Sequence, residues 1–514
     1  MTTAKFVDGS IFRHIWVMSS TAAIGISAIF LVDLLDIFFL SLLGEQELAA
    51  AVGYAGTISF FTTSIGIGLS IALGALVSKA IGAKDVALAK RLLLNCAIVS
   101  FAISVVVALL VGLFVPELLA LIGATGHTAE LAQGYLYILI PSLPVICLAM
   151  ALGGALRAVG DAKLSMMSTL AGGGVNAVLD PIFIFLFAMG IEGAALASVL
   201  ARLTVLIIST HGVLVKHKLT SGLSVSNQND DLPIVFSIAL PAMMTNVATT
   251  IGNAVVTRAI ADYGDSYVAG WAVLGRLIPV TFGMIFALSG AIGPIVGQNF
   301  GANSFDRVRD SLTKAIQFCI CYVVVMSLVL FLIKDFIIDA FDMKGDGAAL
   351  IQFYCQYMAI FFIFAGILFV ANASFNNLGK AKYSTLFNAG KATLGTIPFV
   401  YFGAQYGGVF GVLIGQAIGS VLFGLAGLWV AYKLVDNIEQ SSSAMIGESK
   451  GSESKVPGSK APVEGIELED VPMGSADLPL SSSCAQLAQL NEPQLCEQLS
   501  EDANNESETG IKKA

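Results

Sequence analysis

Three carboxylates, Asp33, Asp36 and Asp180, stand inside long runs of apolar residues. A carboxylate in the hydrocarbon layer of a membrane costs roughly 2.5–3.5 kcal/mol on insertion scales, so each one needs a function or a partner. Burial raises a carboxyl pKa, and a second acid nearby raises it further for one of the pair, which brings proton uptake near neutral pH within reach. Asn176 lies four residues before Asp180 and shares its helical face; Pro181, with no amide hydrogen, leaves the carbonyl of Ala177 open to an ion or water. Gly172, Gly173 and Gly174, one turn earlier, let a neighbouring helix come close. These residues suit a proton or Na+, and the alternative is an Asn–Asp hydrogen bond that only ties helices together. Asp33 either joins Asp36 on one face or lines a wet crevice.

Cations supply a second chemistry. Arg276 and Lys391 are each expected about nine residues inside a helix, roughly 13 Å from its end at about 1.5 Å per residue. They either receive an anionic group such as a carboxylate or snorkel along a cavity wall. Arg202, at similar depth, either borders the cavity or neutralises an acid of the first half. No Ser/His/Asp constellation supports an enzyme. The seven cysteines and four histidines lack ligand spacing, so no metal is expected beyond Na+ at Asp36, Asn176 and Asp180, and no cofactor beyond the coupling ion, H+ or Na+.

The elements that position these groups follow from composition. With 56% hydrophobic and 12% charged residues, the chain is built for lipid. Apolar runs long enough for helical spans occur at 15–43, 48–78, 92–116, 131–156, 164–189, 193–215, 232–257, 277–305, 315–333 and 347–379. The run 383–432 makes two more, divided at Gly407 and Gly408, which gives twelve. Counting from a cytoplasmic N-terminus, the inner loops and ends carry fifteen Lys and Arg and the outer ones only Arg258, Lys334 and Lys344, so both termini are expected inside. From Asp436 the tail holds 15 acidic residues and 5 lysines against 21 acids and 22 bases before it. Such a tail reads as disordered, with Cys484 to Leu499 able to form a weak amphipathic helix.

An internal repeat orders the spans. Gly82 and Ala83 match Gly301 and Ala302 at an offset of 219; so do Ser70 and Ser289, Gly74 and Gly293, and V-G-D-A-K (Val159 to Lys163) with L-G-K-A-K (Leu378 to Lys382). Six helices per half make the repeats parallel, with a cavity between two lobes. The expected fold is an all-α membrane protein of twelve transmembrane helices in two parallel six-helix repeats. Its parts are a cytoplasmic N-terminus (1–14), an N-lobe (15–216), a linker (217–231), a C-lobe (232–434) and the acidic tail (435–514).

Six segments in order resemble the multidrug and toxic compound extrusion (MATE) transporters, especially the branch related to DNA-damage-inducible proteins. They are L-G-E-Q-E-L-A-A-A (Leu43 to Ala51), I-G-A at Ile81, A-L-R-A-V-G-D-A-K (Ala155 to Lys163), V-N-A-V-L-D-P (Val175 to Pro181), G-I-E-G-A-A-L-A-S (Gly190 to Ser198) and V-G-Q-N-F-G-A (Val296 to Ala302). The resemblance implies that Asp36, Asn176, Asp180 and Ser198 form a cation or proton site in the N-lobe. Tyr137, with Tyr135, resembles a family tyrosine near the cavity, and membrane-interface anchoring explains a tyrosine there as well. The chain departs from the pattern at Val32, where some members have tyrosine, and at Ser20 to Ala23, where helix 1 usually carries a proline. The implied function is a secondary antiporter of the bacterial inner membrane that exports small, amphipathic, often cationic compounds. Its rivals are an organic-anion exporter and a lipid-linked precursor flippase. The expected partners are the substrate and the bilayer, with no nucleic acid, and the expected state is a monomer.

Overall fold

The computed structural model describes residues 4–41, 46–219, 228–341 and 343–453; the side chains of Asp33 and Asp36 lie outside those described. The described residues are helical, without a strand. In order they form α1 (Ile11–Ser41), α2 (Gln46–Gly82), α3 (Val86–Leu113), α4 (Val115–Leu121), α5 (Gly126–Leu139), α6 (Leu143–Ala158), α7 (Ala162–Pro181) and α8 (Gly190–His211) in the first half. The second half holds α9 (Gln228–Ala261), α10 (Asp265–Thr281), α11 (Gly283–Gly301), α12 (Phe305–Ala340), α13 (Gly345–Phe353), α14 (Phe362–Asn377), α15 (Lys382–Ala392) and α16 (Ile397–Glu453). Among the described residues eleven stretches are long and apolar enough to cross a membrane, and the last, 382–442, divides at Gly408, whose φ of 58° and ψ of −145° interrupt α16. Twelve spans result, because backbone in lipid must satisfy its own hydrogen bonds and helices do so segment by segment.

The repeat is written into the backbone. α2, α3 and α5 begin at Gln46, Val86 and Gly126, and α10, α12 and α13 begin 219 residues later, at Asp265, Phe305 and Gly345. Left-handed residues recur with the same spacing: Lys84 (φ 62°) with Asn303 (54°), Gly126 (60°) with Gly345 (59°), and Gly160 (78°) with Gly379 (72°). Gly190 (55°) and Gly408 (58°) follow at 218. Such residues terminate one helix and redirect the chain into the next, so the same turns fold both halves.

The two halves interlock at the end that carries the N terminus. Ile11, Ile15 and Met18 of α1 sit in the second half's core, and Val235, Ile238 and Ala239 of α9 sit in the first half's. Phe6 is buried between the halves: its N–H donates to Gln298 Oε1 (2.9 Å), while Gln298 Nε2 donates to the carbonyl of Ala158 (2.7 Å). Asn299 Nδ2 and Arg307 donate to the carbonyl of Phe6 at 3.1 and 2.9 Å.

Some boundaries differ from the sequence expectation. The eighth span begins at Asp265, ahead of position 277, and breaks at Phe282 into α10 and α11, which sets Arg276 deeper than expected. α9 begins at Gln228, inside the expected linker, and 220–227 lie outside the described residues. The last helix continues past 434 to Glu453, its extension held where Arg309 donates to Asp436 Oδ1 (2.9 Å) and to Glu439. The rest of the tail, Cys484 to Leu499 included, lies outside the described residues.

Candidate functional site

Helix register brings the first half's candidates to one level. A Cβ at Gly25 would lie 3.8 Å from Met166 of α7, and one at Gly173 would lie 3.0 Å from Val32 Cγ2 of α1. Both contacts pair positions 141 apart on helices running the same way, so position 36 of α1 is level with Ala177, between Asn176 and Asp180. α8 runs back along α7, with Gly172 against Ala201 and Val205, and Gly193 against Phe183. That register sets Ser198, partly buried, level with Asn176. Glycines at each contact allow the three helices this approach.

Asp180 is 0% exposed, Asn176 is 3% exposed, and Asn176 Nδ2 donates to Asp180 Oδ2 at 2.8 Å. Pro181 ends the regular helix, and Ile182–Leu186 continue as a π-turn. A π-turn beside a proline loosens the backbone hydrogen-bond ladder next to the acid. On α1, where the resembled family has proline, Thr21 Oγ1 donates to the carbonyl of Val17 (2.6 Å) and Ser20 Oγ to that of Trp16 (2.7 Å). Hydroxyls bonded back in this way bend helices slightly without removing a hydrogen bond. Positions 33 and 36 are helical within α1.

The other expected residues fall elsewhere. Arg202 donates to the carbonyl of Leu139 (3.2 Å) and to Ser142 Oγ (2.8 Å), satisfying the break between α5 and α6. Tyr137 is exposed and accepts from Gln133 Nε2 at 3.2 Å. Arg157, counted from sequence among the inner-loop cations, is drawn between helices and donates to Ser70 Oγ (3.2 Å) and Ser165 Oγ (3.1 Å). Arg276 is exposed on α10, and Lys391 is partly buried on α15.

A polar wall in the second half was not anticipated. A Cβ at Gly68 of α2 would press on Met243 of α9, so these helices touch there. The same face of α9 continues as Asn246, Thr250, Asn253 and Thr257, spaced as helix neighbours, and from Thr250 onward it is exposed. On α2 the matching face is exposed at Gly53, Thr57 and Phe61. Faces that pack at the N-terminal end are therefore uncovered at the other, which defines a cleft between the halves. The signal available in the sequence was this run of amides and hydroxyls on one face of an otherwise apolar span.

At the closed end, Asp161 accepts from Lys216 Nζ (2.6 Å) and His217 Nε2 (2.8 Å) and caps α7 through the N–H of Leu164 (3.2 Å). Burial alone would raise its pKa, but hydrogen bonds from Lys216, His217 and the Leu164 amide outweigh it and hold the carboxyl below its ordinary value.

The MatE family model matches the chain twice, over residues 22–182 and 241–402, one match per half and again beginning 219 residues apart. The FAD transporter of Shewanella oneidensis is 24% identical over 432 residues, covering 83% of this chain and 95% of that protein. The multidrug export protein MepA of Staphylococcus aureus is 24% identical, covering 86% and 98%. A crystal structure of a mutant of the Vibrio cholerae MATE transporter VcmN superposes with a TM-score of 0.78 at 25% identity, covering 82% of this chain and 96% of that one. With twelve spans in two repeated halves and a family model matching in each, the chain belongs to the MATE family of membrane transporters.

Proposed function

We propose that the chain is a secondary antiporter of the bacterial inner membrane, with both termini cytoplasmic, that exports small organic compounds in exchange for H+ or Na+. The observation that carries this reading is the buried Asn176–Asp180 pair beside the Pro181 π-turn, at the level of position 36 of α1 and of Ser198. Ion entry there would neutralise the carboxylate and lower the cost of repacking α1 against α7, shrinking the first half's side of the cleft. One charge crossing 100 mV supplies about 2.3 kcal/mol, enough to bias such a repacking.

Multidrug export by the MepA relatives supports an amphipathic, often cationic cargo. The cations of the second half favour an organic anion as a second reading, and transport of FAD by another relative is in keeping with it. The test is efflux from proteoliposomes under separately imposed pH and sodium gradients. Asp36→Asn and Asp180→Asn should each abolish gradient-driven efflux with normal insertion, since Asn keeps the shape and loses the titration. The double variant should be no worse than either single one. Near-normal coupled efflux in either single variant would sink the mechanism.

A further inference from the structure

Arg276 and Lys391 lie at one depth on either side of α9. Trp271 Nε1 of α10 donates to Thr257 Oγ1 of α9 at 2.9 Å. The two helices run in opposite directions, so Arg276, five residues further along α10, is level with Gly252. A Cβ at Gly252 would in turn lie 3.4 Å from Cα of Ala392, the residue after Lys391. Arg276 is exposed on the side of α10 turned away from buried Leu274. Lys391 shares the side of α15 that carries buried Ser384 and Asn388 and packs on α9, where Ser384 Oγ is 3.3 Å from Thr245 Oγ1.

Four cations set between helices or within the spans divide by half: Arg157 at the end of α6 and Arg202 in α8, against Arg276 in α10 and Lys391 in α15. Arg157 and Arg202 of the first half are each satisfied by two oxygen acceptors. Among the described residues the charged tips of Arg276 and Lys391 make no hydrogen bond or ion pair. Nor does the sequence offer them a carboxylate: there is no Asp or Glu from Leu232 to Ala261, from Ser266 to Phe305 or from Gly347 to Val435. Cations at this depth are expensive and ordinarily bond to protein oxygens or face a counter-charge. Two left open at one level, beside the exposed amide and hydroxyls of Thr249, Thr250 and Asn253, make a receptor for an anion.

We propose that the second half's side of the cleft binds the anionic group, carboxylate or phosphate, of the exported compound, with Lys391 and Arg276 as its counter-charges. As an account of export it rests on the antiport reading above; as an account of binding it stands apart from it.

The test is calorimetric titration of the purified full chain with three probes sharing one ring system: 2-naphthoate, 2-naphthyl phosphate and (2-naphthylmethyl)trimethylammonium. At least one anion should bind about tenfold or more tightly than the ammonium, and which one distinguishes carboxylate from phosphate. Lys391→Gln and Arg276→Gln should each weaken anion binding about tenfold and leave the ammonium unchanged. Lys391→Arg should restore it, separating loss of charge from loss of fold. Equal or tighter ammonium binding, or unchanged anion affinity in the Lys391→Gln, Arg276→Gln double variant, overturns the proposal. Gradient-driven transport by the same preparation separates the two readings: anion binding that responds to Lys391 without any gradient-driven transport defeats antiport and leaves this site standing.

Discussion

Gly82 and Gly301, 219 residues apart, each press against the other's helix: a Cβ at Gly82 would collide with the carbonyl of Gln298, and one at Gly301 with that of Lys79. Lys79 and Gln298 are themselves 219 apart, so the contact is reciprocal about the repeat axis and closes the end that carries the N terminus. Gly82→Ala or Gly301→Ala should overpack this crossing at a cost of about 1–3 kcal/mol and shift the population toward states open at that end. Labelling of Ser78→Cys, buried beside Asn377, in a cysteine-free background should accelerate at least several-fold; unchanged labelling would show that the crossing does not set the equilibrium.

Gln298 bonds the Phe6 amide and the Ala158 carbonyl at once and so joins three segments. Gln298→Met keeps the length, loses both hydrogen bonds and leaves two buried backbone groups unpaired, at about 1–3 kcal/mol each. Thermal unfolding in detergent should fall by several degrees, and Phe6→Ala, which keeps the backbone amide that bonds Gln298 but deletes a buried ring, should lower it further by a separate packing loss.

Ser198 is expected to separate the two coupling ions, and Asn176 to serve both. Ser198→Ala removes an oxygen that Na+ can use and a proton does not need. It should raise the sodium concentration for half-maximal efflux several-fold if Na+ is the driver and leave pH-driven efflux unchanged. Asn176→Leu should reduce gradient-driven efflux at least tenfold with either ion, because the donor to Asp180 is lost.

Asp161 gives a pH dependence with a definite sign. Its folded-state pKa is depressed, so its contribution to stability is present above the ordinary carboxylate pKa of about 3.9 and is lost as pH falls through the lower folded value. The wild-type chain should therefore melt higher than Asp161→Asn at and above about pH 5, a margin that closes as pH falls below the ordinary carboxylate pKa of about 3.9. A difference that persists undiminished at the acid end would assign the effect to packing.

The sequence by itself determined the membrane setting, the span count and the repeat, because apolar length and turn residues are local properties that lipid makes decisive. The 219-residue offset read from short segments recurs in helix starts and in the left-handed residues Lys84 and Asn303. The Asn176–Asp180 pairing was legible for the same reason, since four residues on a helix make neighbours. The sequence left open what lies between helices. The chain gives no sign that Arg202 serves the break between α5 and α6, that Arg157 is drawn in to Ser70 and Ser165, or that Phe6 crosses to Gln298. Only the tertiary structure decided which cations find acceptors within the protein. A side chain's partner is set by the register of helices far apart in sequence, and composition and spacing do not encode that register.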